Sequence, residues 1–148
     1  MSMLRREWEA DANDVLVKAA EAADLFEDAA RRLPREAAIL DVMAARRRRL
    51  AQGLDRALRA EGVLPKGVDP EHEEADRLLA SVRSALSRDE ETGLLNDRLA
   101  ADRKLAASIA ETLGDADLPP ALKAVLEAAA GEIDADRAAL EARLGGAA

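Results

Sequence analysis

The stretch DVLVKAAEAADLFEDAARRLPREAAILDVMAARRRRLAQGLDRAL, residues 14–58, decides the fold, because a degraded copy of it follows at residues 94–144. Aligning Pro34 with Pro120 brings the apolar positions after the prolines into line, and the segments before the prolines match with Leu33 on Leu113, so the second turn is longer. Each copy predicts a helical hairpin, and a single hairpin cannot bury its own apolar faces. Two hairpins can close into a bundle, so the internal repeat predicts an all-α four-helix bundle.

The first helix carries the clearest periodicity, with apolar residues at alternating spacings of four and three. Pro34 disfavours helical geometry at Leu33 and can begin a new helix, so we expect a tight turn there. One long helix kinked at Pro34 is the alternative. Gly62 is expected to end the second helix. The seam of the first helix consists of Leu4, Trp8, Ala12, Val15, Ala19, Ala22, Phe26, Ala29 and Leu33.

We expect a single domain over residues 1–148, with hairpin 1 at about 4–61 and hairpin 2 at about 93–144. A crossover helix is predicted at about 70–88, with the Thr92-Gly93 pair separating it from the third main helix. About 18 residues at 1.5 Å each span roughly 27 Å, which is close to the length of a bundle. Such a connection makes the second and third main helices parallel, which is the ferritin-like topology.

Composition narrows the class of protein. Ala, Leu and charged residues dominate the chain, Cys and Tyr are absent, and only Trp8 and Phe26 are aromatic. The lack of Cys removes disulfides and thiolate chemistry, and no apolar run reaches the roughly 20 residues of a membrane span. A net charge of −8 disfavours nucleic acid as a partner. No phosphate-binding loop or catalytic triad is present. We therefore expect a cytoplasmic, non-enzymatic protein without a cofactor.

Polar residues on the apolar seams are the candidate functional residues. Asp102 and Asp136 stand at core spacings on the third and fourth helices, and Arg47 stands between Met43 and Leu50 on the second. Our first interpretation is a structural ion-pair cluster, because a buried carboxylate needs a partner. The alternative is a remnant of a metal site. The ion-pair candidates are Arg46, Arg47, Asp102, Glu132 and Asp136.

Residues 14–144 resemble the ferritin-like four-helix bundles, and more closely a small bacterial family of such bundles known only as a domain of unknown function. The residues that carry this resemblance are Leu94-Leu95, Asp102, Leu105, Ile109 and Leu113, followed by Leu118-Pro119, Leu126 and Ile133, with the crossover helix ahead of them. In ferritin-like di-iron proteins, two helices each supply a Glu and the other two each supply Glu-x-x-His.

The resemblance implies a metal site that this chain does not complete. Asp102 matches the carboxylate of the third helix and Glu132 that of the fourth, but Ala135 replaces the expected His. The first helix has Ala22 opposite Asp102, with Glu21 beside it and pointing about 100° away. The second helix has Arg46 and Arg49 where Glu and His would be required. We expect no metal. If an ion binds, Asp102, Glu132 and Asp136 are the predicted ligands.

Two further residues are candidates for binding roles. The only His, His72, lies among Glu71, Glu73 and Glu74, where acidic residues complement a helix N-terminus. We interpret it as a solvated residue and keep a metal ligand as the alternative. Trp8 is interpreted as the first large residue of the seam, with a partner-binding anchor as its alternative.

The sequence thus predicts a helical bundle with a structural or protein-interaction role. Alanine-rich seams bury less apolar area than leucine-rich ones, so we expect a protein partner or self-association, with a homodimer as the leading hypothesis. The alternative function is a degenerate ferritin-like bundle that binds a metal ion through carboxylates. A helical chaperone or secretion adaptor is a third possibility.

Overall fold

The computed structural model describes residues 6–67 and 86–146, and within these ranges it contains four long helices and no strand. They are α1 (Glu7–Arg32), α2 (Ala37–Ala60), α3 (Arg88–Leu113) and α4 (Pro120–Gly146). The prediction of an all-α four-helix bundle is confirmed. The predicted crossover helix and His72 fall mainly on residues 68–85, which lie outside the described part of the chain.

The first turn follows the constraint that proline imposes. α1 ends at Arg32, and residues 34–36 form the turn before α2 begins at Ala37. The Glu36 N–H donates to the Leu33 carbonyl at 3.1 Å, which closes the turn tightly. The alternative of one helix kinked at Pro34 is therefore wrong, and α2 begins three residues later than its first possible position.

α3 does not begin after Thr92-Gly93, as the sequence predicted. The helix begins at Arg88 and continues through both residues. Ser87 is its N-cap: the Glu90 N–H donates to the Ser87 hydroxyl, and the Ser87 N–H donates to the Glu90 side chain. This reciprocal capping box fixes the helix start, whereas one glycine in a helix interior costs only about 1 kcal/mol.

The second hairpin turns where the sequence indicates. α3 ends at Leu113, Gly114 is its C-cap, and α4 begins at Pro120. Proline suits the first position of a helix because its fixed φ is helical and no N–H is needed there.

Contacts between helices give their directions. Near the first turn, Arg143 of α4 donates to the Arg35 carbonyl at 3.0 Å. Farther along α2, Gly53 lies beside Val125 of α4. Higher numbers on α2 therefore meet lower numbers on α4, so these two helices are antiparallel.

α1 and α3 are also antiparallel. Lys18 of α1 donates to the Ser108 hydroxyl of α3 at 2.8 Å, and the charge of Arg32 acts on Glu90 at the other end of α3. Since α1 and α2 form a hairpin, α2 and α3 run in the same direction. The chain between Gly67 and Leu86 accordingly joins opposite ends of the bundle.

The core lies between the four inward seams. α1 packs against α2 and α3, and α4 packs against the same two helices, so α2 and α3 stand on a diagonal. Trp8 is almost fully buried, which supports its interpretation as a core residue and not as an exposed anchor. α1 contributes mostly small side chains to this core, namely Ala12, Ala19, Ala22, Ala23, Ala29 and Ala30.

Candidate functional site

The four consecutive arginines of α2 separate into different environments. Successive helical residues advance by about 100°, so only one member of the run can face the core directly. That residue is Arg47, whose side chain is 1 % exposed. Arg46 and Arg49 lean toward α4, and Arg48 leans toward α1.

Arg47 binds Asp102 across the diagonal of the bundle. Its Nε donates to Asp102 Oδ1 at 2.9 Å and its Nη2 donates to Asp102 Oδ2 at 2.7 Å. This is the bidentate fork in which a guanidinium matches a carboxylate best. The Asp102 side chain is fully buried, so α2 and α3 meet directly at this ion pair.

Arg47 also binds Asp136 of α4, through Nη1 and Oδ2 at 2.9 Å. The other oxygen of Asp136 accepts a hydrogen bond from Arg46. The Arg47 guanidinium lies 5.5 Å from the centroid of the Phe26 ring of α1, within the range of a cation–π contact. Arg47 therefore contacts side chains from all three other helices.

Glu132 lies at the edge of this network. Its Oε2 is 3.6 Å from Arg46 Nε and 3.8 Å from Arg49 Nη2. The five residues predicted as ion-pair candidates are thus all brought together by the structure. We call Arg46, Arg47, Asp102 and Asp136 the central network, with Glu132 and Arg49 at its solvent edge.

Burial and pairing act in opposite directions on the central network. Burial raises the pKa of Asp102, and the hydrogen bonds from Arg47 oppose that rise. Burial lowers the pKa of Arg47, but the hydrogen bonds and charges of Asp102 and Asp136 outweigh it, so the net change is upward. The pair is ionised, because a guanidinium does not lose its proton in proteins.

Two polar clusters were not predicted from the sequence. Arg48 Nη2 lies 3.0 Å from Asp24 Oδ1 and 2.7 Å from Glu27 Oε1, which attaches α2 to α1 near the surface. The sequence signal was available, because Asp24 and Glu27 are three apart and share a helix face.

The second cluster lies at the end of the bundle where α1 begins. One carboxylate oxygen from each of Glu7, Asp11 and Asp115 lies within 4.8 Å of the others. Burial raises the pKa of Asp115 to about 6, assisted by a hydrogen bond with Asp11 and by the charges of Asp11, Glu7 and Glu111. Asp115 is in a turn, where no periodic pattern signals which helix it will meet.

The central network does not fit a di-iron site. Both oxygens of Asp102 and both of Asp136 accept hydrogen bonds from arginine. A cation at these oxygens would have to displace a buried guanidinium, and the Glu-x-x-His partners are not present on the described helices. Among residues 6–67 and 86–146, the carboxylates close enough to share an ion are Glu7, Asp11 and Asp115.

Comparison of the chain with protein-family models, curated protein sequences and solved structures finds no match. Across the described ranges, no helix combines the length and the apolar character needed to cross a bilayer. Fold and site together define a class: an all-α four-helix bundle whose centre is an arginine held by two buried aspartates.

Proposed function

We propose that this protein is a non-enzymatic helical bundle that acts through protein–protein contacts. One observation carries the proposal: all four carboxylate oxygens of Asp102 and Asp136 are occupied by arginine donors. In carboxylate-bridged metal enzymes such inward oxygens bind the ions. Here the same oxygens bind α2, so the polar centre serves the arrangement of the helices.

A structural role agrees with the energetics of buried ion pairs. Removing charges from water costs several kcal/mol per ion, and good geometry mainly offsets that cost. The central network therefore adds little net stability over an apolar core. Instead, the central network disfavours incorrect registers of the helices, because a register shift of α2 would leave Asp102 buried without a donor.

An interaction role is supported by the small side chains that α1 contributes to the core. Alanine side chains bury less apolar area than leucine, at roughly 25 cal/mol for each Å² removed from water. A bundle with such a seam gains stability when a partner covers more of its apolar surface. We propose that this partner is a second copy of the chain.

The ferritin-like relationship belongs to the same proposal. Its support is the parallel course of α2 and α3, which two hairpins joined by a long connection adopt. We also propose a cytoplasmic location, supported by the lack of Cys in the whole sequence. In this interpretation the arginines replaced the metal ligands of a ferritin-like ancestor.

The test is metal analysis of protein purified without chelator, combined with melting curves in the presence of iron, manganese and zinc. We expect substoichiometric metal and no shift in the melting temperature. Stoichiometric metal that is lost in Asp102→Asn would overturn the proposal in favour of the carboxylate alternative with Asp102, Glu132 and Asp136. Asp115→Asn is the matched control, because it tests the cluster of Glu7, Asp11 and Asp115 separately.

A further inference from the structure

The chain leaves α2 over α1. The Asn13 side chain of α1 donates to the Lys66 carbonyl and accepts from the Lys66 N–H, both at 2.8 Å. A Cβ placed at Gly67 would lie 3.2 Å from Val17 Cγ2, one turn farther along α1. The chain therefore lies against α1 at Gly67 and already runs toward the far end of that helix.

The connection from α2 to α3 also ends beside α1. The charge of Arg32, the last residue of α1, acts on Glu90 in the first turn of α3. From Val17 to Arg32 is a distance of about 22 Å at 1.5 Å per residue. Residues 68–85 would span about 27 Å as a helix. Their length thus fits a path along α1.

Two carboxylates on the outer side of α1 are buried. Asp24 is 7 % exposed and Asp28 is 8 % exposed. Counted around the helix from the core residue Ala19, they are turned by about 140° and 180°. Arg48 pairs with Asp24, and Arg32 pairs with Asp28. Charged side chains on the outer side of a bundle are ordinarily exposed, so the burial of both indicates that further chain lies over α1.

A basic groove lies where this connection begins. It measures about 710 Å³, runs between α1 and α2, and includes Gly67 in its lining. Asp55 also lines it, but accepts a hydrogen bond from Arg59 at 3.0 Å. Basic residues therefore set the charge of the groove, namely Arg48, Arg56, Arg59 and Lys66.

The residues that follow Gly67 complement the groove in charge. We call residues 69–76 the acidic stretch, because they contain Asp69, Glu71, Glu73, Glu74 and Asp76. It is the part of the connection nearest to the basic groove. Arg77 comes next, 10 residues beyond Gly67. Asp24 and Asp28 are 7 and 11 residues beyond Val17, so a helix with the rise of α1 brings Arg77 to their height.

We propose that residues 69–85 lie along the outer side of α1, in the groove between α1 and α2, with the acidic stretch against the basic side chains of α2. Glu21 disfavours the other side of α1, since it is exposed and turned about 100° from Ala20, which lines the groove. The inference goes beyond the proposed function, because it names the occupant of this groove. A protein partner then has to bind another face of the bundle.

The first test uses pairs of introduced cysteines, which react specifically because the chain has no Cys of its own. Ala75→Cys is combined with Gln52→Cys in the groove. The matched control combines it with Ala124→Cys, exposed on α4 across the bundle from α1. Gln52 and Ala124 stand at one height, because their neighbours Gly53 and Val125 face each other.

A short bis-maleimide reports which pair is close. We expect intramolecular cross-linking at least about tenfold faster for the pair in the groove, because proximity raises the effective concentration. Equal rates, or a faster reaction with the cysteine on α4, would overturn the proposed path.

The second test measures whether the charges hold the segment in place. Trypsin cleaves after Arg77 when the segment detaches, so the cleavage rate follows the detached fraction. Arg56→Glu should raise this rate by about threefold, because an exposed ion pair becomes a repulsion. Arg49→Glu is the matched control, since it makes the same change on the side of α2 that faces α4.

The control should cleave at the wild-type rate, and melting curves of all variants detect any loss of folding. Equal rates for Arg56→Glu and Arg49→Glu would overturn the pairing of the acidic stretch with the groove. Refutation of this path would leave the proposed interaction function standing, because the metal analysis tests that function separately.

Discussion

The centre of the bundle and the end where α1 begins both hold clustered carboxylates, yet they differ in what faces them. In the central network, Asp102 and Asp136 face arginine donors at 2.7–2.9 Å and are buried. At the end of the bundle, Asp115 faces Asp11, Glu7 and Glu111, and its pKa rises to about 6. A buried carboxylate is thus tolerated where a cation is fixed beside it, whereas in a partly exposed cluster without a cation the carboxyl pKa rises and the proton is kept to a higher pH.

The largest expected effect comes from removing the cation at the centre. Arg47→Met preserves most of the side-chain volume but leaves both oxygens of the fully buried Asp102 without donors. We expect a loss of about 3–5 kcal/mol in the free energy of unfolding, because an uncompensated charge remains inside the bundle. Urea denaturation at neutral pH measures it. A loss below about 1 kcal/mol would show that water or a rearranged side chain replaces the guanidinium.

Removing the charges together should reverse that loss. In the triple variant Arg47→Met, Asp102→Val and Asp136→Val, no buried charge lacks a partner. We expect stability equal to wild type or higher by about 1–4 kcal/mol, as replacement of buried ion pairs by apolar residues often gives. Urea denaturation compares it with Arg47→Met. If the triple variant is as unstable as the single one, lost packing and not the stranded charge explains the effect.

At the other end of the bundle, the expected effect depends on pH. The pKa of Asp115 is higher in the folded protein than its ordinary value of 3.8, so the folded state binds the proton more tightly than the unfolded state. Stability from this group is present below about pH 4 and is lost as pH rises through about 6. Asp115→Asn should remove this dependence and, at neutral pH, be more stable than wild type.

Because Asp115 is partly exposed, solvent screening limits that gain to about 1 kcal/mol. Melting temperatures of wild type and Asp115→Asn between pH 4 and 8 measure it. Asp11→Asn is a second variant with the same expected direction, since Asp11 supplies both the hydrogen bond and a repelling charge. Parallel pH curves for wild type and both variants would contradict the coupling of these carboxylates.

The smallest effect is expected at Arg48, which matches Arg47 in chemistry but not in burial. Arg48 also faces two carboxylates, Asp24 and Glu27, but its side chain is 40 % exposed. Arg48→Met should cost only about 0.5 kcal/mol, because Arg48 and Glu27 are partly exposed and water screens their charges. Comparing urea denaturation of Arg48→Met with that of Arg47→Met shows how much the burial of the ion pair contributes to the loss in the free energy of unfolding. Equal losses in the two variants would remove the distinction between the centre and the surface.

The boundaries of the helices were largely predictable because they depend on local chemistry. Pro34 and Pro120 place the two turns, and the spacing of apolar residues places the seams. The start of α3 predicted from Thr92-Gly93 is wrong because the capping box of Ser87 and Glu90 outweighs one glycine in the helix interior.

The inward direction of Arg47 also follows from local spacing, since Met43 and Leu50 flank it on the same face of α2. Which carboxylate each arginine meets does not follow from spacing. Arg46 reaches Asp136 and Arg48 reaches Asp24 because of the order in which the helices surround α2. That order depends on how the two hairpins face each other.

The sequence by itself therefore determined four helices, two proline turns and an arginine among apolar neighbours, because periodicity and backbone restriction act within a few residues. Only the tertiary structure decided that Asp102 reaches Arg47 across a diagonal and that Asp115 meets Asp11. These pairs lie far apart in the chain, and their approach is set by the packing of whole helices, to which each single residue contributes little.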